Sequence, residues 1–88
     1  MNTNLNISTY KFVPLSDTAS LRERCLNKAQ ALELKGTLLI AEEGINLFLA
    51  GTAHAVRSFV AFLRDDPRFA DLQPKESWSD TQPFRKMR

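Results

Sequence analysis

Apolar and polar positions along this chain follow two periods, and their succession predicts the elements. Ile7 to Val13 (Ile-Ser-Thr-Tyr-Lys-Phe-Val) is rich in β-branched and aromatic residues and reads as a strand, which Pro14 stops. Ser16 or Asp17 then offers a side-chain oxygen to a free first-turn N–H, an N-cap signal. From there Leu21, Cys25, Ala29 and Leu32, with Leu26 beside them, recur at helical spacing. The helix is expected to end near Lys35-Gly36, with glycine as its C-terminal cap. Thr37 to Ala41 is a short apolar run, hence a second strand. Glu42-Glu43-Gly44 is a turn, and Ile45 to Ala50 is a third strand paired with the second as a hairpin. Gly51 breaks that strand and Thr52 caps the next helix. There Val56, Phe59, Val60 and Leu63 form an i, i+3, i+4, i+7 stripe that Asp65-Asp66-Pro67 ends. Leu72 to Trp78 predicts a fourth strand, confined by Pro74 to a sheet edge. Residues 79–83 read as a loop, and Phe84 to Arg88 as the beginning of a further strand.

The order β-α-β-β-α-β is the split βαβ, ferredoxin-like pattern. It predicts an α+β sandwich in which two helices cover one face of a four-stranded antiparallel sheet and the other face is open. Residues 1–6 are polar and expected to be disordered, residues 7–84 form the domain, and residues 85–88 start a strand or linker. A chain of 88 residues is one domain with a thin core. The net charge of +2 conceals an asymmetry. Arg85-Lys86-Met87-Arg88 holds three of the 12 basic groups and no acid, which leaves residues 1–84 with 9 basic against 10 acidic groups, a net of −1. No apolar run approaches the ~20 residues of a membrane span, and the N-terminus lacks the basic and apolar regions of a secretory signal. A cytoplasmic location is the expectation, in keeping with the single cysteine.

Each chemistry known on this architecture makes a demand that the residues can meet or fail. A phosphate cradle after strand one needs glycine and arginine. Val13-Pro14-Leu15-Ser16-Asp17 has neither, and its one charge is an acid. A soft-metal chaperone needs paired thiolates, and there is only Cys25, on the apolar stripe of the first helix. His54 has no partner cluster for a metal. Glu42 and Glu43 are adjacent, so they point apart and read as solvated turn residues. RNA-recognition modules of this topology stack bases on aromatics of the two central strands. The candidates are Tyr10, Phe12 and Phe48, but Gly-Ile-Asn-Leu-Phe-Leu-Ala-Gly around Phe48 lacks the basic, doubly aromatic pattern of such modules. A thin core needs large side chains, so the three are expected inside, with the open face as the alternative. Lys75, Arg85, Lys86 and Arg88 make a candidate basic surface, which Lys11 and Lys35 could join. It is either a phosphate-contacting patch or a solvated edge.

Several stretches carry a family resemblance: Tyr10-Lys11-Phe12-Val13-Pro14-Leu15, Leu34 to Asn46 with its Ala-Glu-Glu-Gly-Ile-Asn segment, Ala50-Gly51-Thr52, Asp66 to Leu72, Lys75-Glu76-Ser77, and Pro83 to Arg88. Together they resemble the N-terminal domain of the rhodanese-related tRNA uridine hydroxylases of bacteria. The hairpin residues Glu42, Glu43, Gly44, Ile45 and Asn46, in order with Lys75-Glu76-Ser77 and Pro83-Phe84, are the specific part. The resemblance implies an accessory, tRNA-binding domain of an enzyme that carries out oxygen-dependent 5-hydroxylation of a tRNA uridine. It implies a rhodanese-like catalytic domain, with the family's active-site cysteine, beyond residue 88. On this reading the fragment alone has no catalytic residues, metal or cofactor, and Cys25 does not correspond to the family cysteine. The partners implied are tRNA and the chain's own rhodanese domain. The alternative is a structural module that docks on that domain without touching RNA. One departure from the family pattern is the run of Gly44-Ile45-Asn46 into Leu47-Phe48, where members often continue with Gly-Thr.

Overall fold

The computed structural model describes residues 4–81, Pro83 and Met87. Its elements are β1 (Asn4–Phe12), α1 (Thr18–Ala31), β2 (Lys35–Ala41), β3 (Gly44–Gly51), α2 (Ala53–Arg64), a single 3-10 turn (Pro67–Phe69) and β4 (Lys75–Ser79). The sheet is antiparallel throughout, in the order β2-β3-β1-β4. This is the ferredoxin-like α+β sandwich that the pattern predicts, with β1 and β3 central and β4 at an edge directly after Pro74.

The core lies between the sheet and the helices. Leu5 and Ile7 of β1, Leu38 of β2, and Ile45, Leu47 and Leu49 of β3 face it. Leu21, Cys25 and Ala29 of α1 and the whole predicted stripe of α2 pack against them, while Leu26 and Leu32 are half-buried. Phe59 and Phe69 are the largest fully buried side chains. Thr52 caps α2 as expected, its Oγ1 accepting from the Ala55 N–H at 3.1 Å.

Four expectations are corrected. β1 begins at Asn4, so residues 4–6 are strand, and Leu5, fully buried, pairs with both Gly51 and Trp78. Residues 1–3 lie outside the described residues. Gly36 does not cap α1. The helix ends at Ala31 in a Schellman motif, with Glu33 N–H donating to Gln30 O and Leu34 N–H to Ala29 O, and Glu33 takes the left-handed conformation at φ 58°. Gly36 instead lies within β2 at φ 135°, where an added Cβ would sit 1.8 Å from the Phe48 carbonyl oxygen. Asp17 holds the N-cap position of α1 but makes no side-chain cap, because Arg68 engages its carboxylate. Leu72 to Pro74 are not strand, and Leu72 is a core residue whose carbonyl accepts from Arg64 Nε at 3.0 Å and Nη2 at 2.5 Å.

Two stability predictions follow from this geometry and are read by urea unfolding. Glu33→Gly relieves a side chain held in the left-handed region and raises stability by about 1 kcal/mol. Phe59→Ala removes a fully buried ring and lowers stability by about 3–5 kcal/mol.

Candidate nucleic-acid interface

The side-chain period of a strand is two, so the core-facing residues fix the opposite, open face. Tyr10 and Phe12 of β1 and Phe48 of β3 lie there, 69%, 81% and 41% exposed. The expectation that they fill the core is therefore wrong. Aliphatic residues of β1 and β3 occupy that side, and the three aromatics crowd the uncovered one. The pairing aligns them in rows across the sheet: Tyr10 opposite Asn46 and Asn46 opposite Leu39, then Lys75 opposite Ser8, Ser8 opposite Phe48 and Phe48 opposite Thr37. Tyr10 and Phe12 meet edge to face with ring centroids 5.6 Å apart. A shallow depression lies at the junction of these rows, lined by Ser8, Tyr10, Asn46, Phe48, Gln73 and Lys75. A second, beside it, is lined by Asn6, Ile7, Ser8, Phe48, Lys75, Glu76, Ser77 and Pro83. Sequence reasoning did not single out Asn6, Ser8 or Gln73.

The basic candidates separate. Lys35 and Lys75 sit on the outer strands, on the open side of the register. Lys11 is on the helix side, where its Nζ donates to the Arg68 carbonyl at 2.7 Å and is ion-paired with Asp71. That pairing holds the Asp71 carboxyl below the usual carboxylate range. Lys11 therefore does not join Lys75. Arg85, Lys86 and Arg88 lie outside the described residues. Met87 makes a parallel bridge to Gly36 at the free edge of β2. On β4, Glu76 and Trp78 face the helices, where Arg57 reaches Glu76 at 3.7 Å and lies 5.9 Å from the Trp78 ring centroid. As a result, the open-face positions of the four described strands carry lysines and no carboxylate.

The hairpin motif has a structural task. Gly44 pairs with both Ala41 and Phe12. The carbonyls of Glu43 and Glu42 accept from the N–H groups of Val13 and Leu15, each at 2.9 Å, while both glutamate residues are exposed. The loop after β1 is thus latched to the hairpin tip. Of its five residues, Pro14 has no N–H, and those of Val13 and Leu15 are engaged. Beyond it, Arg68 bridges Asp17 (Nη1 to Oδ1, 2.7 Å) and Asp66 (Nη2 to Oδ2, 2.7 Å), tying the start of α1 to the turn after α2. The guanidinium holds both carboxyls below their usual range. Cys25 is buried, and desolvation pushes its thiol up to about 11. His54 is exposed, and among the described residues no group of three or more His, Cys, Asp and Glu is placed to hold a metal. No described helix is long and apolar enough to cross a membrane.

Residues 5–88 match the sequence profile of the UPF0176 acylphosphatase-like domain. The chain belongs to this family. Curated relatives include the tRNA uridine(34) hydroxylases of Delftia acidovorans, 69% identical over 87 residues, and of Variovorax paradoxus, 65% identical over 83. The matches take in 99% and 94% of this chain but 33% and 32% of those proteins, so it spans about a third of their length. Among solved structures the domain is similar to BlrP1 BLUF (TM-score 0.77, 23% identity, 99% of this chain and 62% of that one). It is also similar to full-length HypF in its phosphate- and nucleotide-bound form (TM-score 0.62, 14% identity, 99% and 11%). Both likenesses are of fold.

Two measurements check the site chemistry. Arg68 lowers the pKa of Asp17 and Asp66 in the folded state, so the stability they confer is complete above about pH 4 and is lost as pH falls through the depressed values. Arg68→Leu is expected to flatten the acid side of a stability-against-pH curve, and an unchanged slope would show the network to be idle. Cys25 is expected to react with a thiol reagent at the rate of unfolding, and prompt labelling of native protein at pH 8 contradicts its burial.

Proposed function

We propose that this chain is an accessory, tRNA-contacting domain of a tRNA uridine(34) hydroxylase, lying N-terminal to the catalytic part of that enzyme. The observation that carries the proposal is the open sheet face, where Lys35 and Lys75 share a surface with the exposed aromatics Tyr10, Phe12 and Phe48. The names of the relatives supply the substrate. In the parent protein a rhodanese-like domain outside this chain performs the oxygen-dependent 5-hydroxylation of a tRNA uridine. The present residues add grip: Lys75, Lys35 and the basic run Arg85, Lys86 and Arg88 neutralise phosphates, and affinity depends steeply on salt.

A second reading is a module that docks on the rhodanese-like domain without RNA contact. It is favoured by the depression at the hairpin end of the same face, where Leu39, 54% exposed, lies with Phe12. Charge reversal separates the two. Lys75→Glu combined with Lys35→Glu, in the full-length protein, is expected to weaken tRNA binding several-fold and to reduce the salt slope by about 1 for each phosphate no longer neutralised. Unchanged affinity and slope would leave the docking module as the function of this domain.

A further inference from the structure

We infer that the open face is a stacking platform for unpaired nucleobases, on which Tyr10 and Phe48 each carry one base, Asn46 and Asn6 offer amides to base edges, and Lys75 takes a phosphate. The inference rests on the RNA-contacting reading and specifies its ligand as single-stranded RNA, a loop in preference to a helical stem.

Four observations converge on it. First, Tyr10 and Phe48 stand on the two central strands as diagonal neighbours, since Tyr10 faces Asn46 and Phe48 is two residues further along β3. Diagonal positions are about 7–8 Å apart, within mutual reach of large rings. Successive bases of a single strand stack on aromatic side chains placed in this way, with little regard for sequence, because every base has a π-face. Inside a duplex both faces of every base are covered by stacking, and only the terminal pairs present one. Second, Asn46 and Lys75 line the same depression as both rings, so an amide able to donate and accept lies beside the stacking site and an ammonium lies at its rim. Third, Asn6 lines the adjoining depression with Phe48, and its Oδ1 is buried without a hydrogen-bond partner among the described residues. Its amide orientation is fixed by the neighbouring contacts: Asn6 Nδ2 donates to Ser79 Oγ at 3.1 Å, and that hydroxyl donates onward to the Thr81 carbonyl at 2.8 Å. This unmet acceptor lies just beneath the surface of the depression, so the N–H of a base edge meets it only when the Asn6 side chain turns outward. Fourth, Glu76, the carboxylate next to Lys75 in sequence, has the helix-side parity of β4 and pairs with Arg57 at 3.7 Å, which offsets its charge beside the second depression that it helps to line.

Tyr10 is the sole tyrosine of the chain, so its ring protons give an unambiguous NMR probe. The 88-residue chain is titrated with a uridine-rich single-stranded RNA heptamer and with a blunt RNA duplex of equal length. The expected result is tighter binding of the single strand, with upfield shifts of the Tyr10 and Phe48 ring protons. Tyr10→Leu and Phe48→Leu keep apolar volume on an exposed surface and remove the ring. Each is expected to weaken single-strand binding on the order of ten-fold, while Tyr10→Phe retains it. Backbone amide spectra of each variant report that the fold is intact. If both Leu variants bind the single strand as wild type does, or the duplex binds equally well, the stacking platform is refuted while the lysine-dependent reading of the domain stands. If neither RNA nor tRNA binds at low salt, both readings fall. If the Leu variants loosen the domain from the rest of the full-length protein and leave RNA binding intact, the face is a protein-docking surface and the inference is overturned.

Discussion

The backbones of β1 and β3 approach each other closely at Gly44, and much of the molecule hangs on that approach. A Cβ at this position would sit 2.0 Å from the Lys11 carbonyl oxygen, and the residue adopts φ 148°, which side-chain-bearing residues rarely adopt. Glycine therefore lets the hairpin tip close onto the end of β1. The N–H groups of Val13 and Leu15 complete the contact on the carbonyls of Glu43 and Glu42. The pairing so fixed sets Tyr10 against Asn46 and Ile7 against Leu49. A slip of one residue would turn Leu5 and Ile7 to solvent and put Tyr10 and Phe12 among the helices. The specific hairpin residues of the sequence thus act at a distance, by deciding what the sheet shows on each side.

The two faces then take opposite characters. Under the helices the buried sheet residues are aliphatic and tightly packed, down to Gly51, where an added Cβ would lie 2.6 Å from Leu34 Cδ2. The open side collects rings, amides, hydroxyls and lysines. Around the rim, ion pairs hold the connecting segments: Arg68 with Asp17 and Asp66, Lys11 with Asp71, Arg57 with Glu76. The Arg57–Glu76 pair is exposed and individually weak, whereas the Arg68 pairs are half-buried and share one guanidinium. Asp17 and Asp66 are so held at the starts of α1 and of the 3-10 turn, and Glu76 on the helix side of β4.

Much of the fold was legible because amphipathic periodicity survives in a thin core. The stripe of α2, its Thr52 cap and its stop at Asp65-Asp66-Pro67 are all as the spacing requires. The orientation of the aromatics was not read, and the reason is specific. Ile7 to Phe12 offers two faces of similar quality, one with Ile7, Thr9 and Lys11, the other with Ser8, Tyr10 and Phe12, and side-chain volume favours the wrong one. Leu5, set aside with the polar N-terminus, was the missing second aliphatic. The decisive signal was in β3, where Ile45, Leu47 and Leu49 alternate with Asn46, Phe48 and Ala50. An asparagine is a poor core residue without partners. Its parity assigns Phe48 to the open side, and antiparallel pairing carries that assignment to Tyr10 and Phe12. The end of α1 escaped for another reason: Glu33 accepts a left-handed conformation that composition would assign to a glycine. The separation of Lys11 from Lys75 could not be read without knowing where Asp71 falls.

The latch between the hairpin and the loop after β1 also bears on what this scaffold can become. In an anion-binding version of the fold, that loop must keep its N–H groups free and pointing at a ligand. Here two of them end on main-chain oxygens, which no side-chain replacement can remove, and a proline supplies none. Grafting an arginine onto the loop would add a cation without the amides that orient an oxyanion. The hairpin would first have to be shortened or swung away, and with it would go the contact that holds the two central strands in register. In this chain the backbone of that loop is committed to the hairpin, and the surface left for a ligand is the one the sheet presents on its uncovered side.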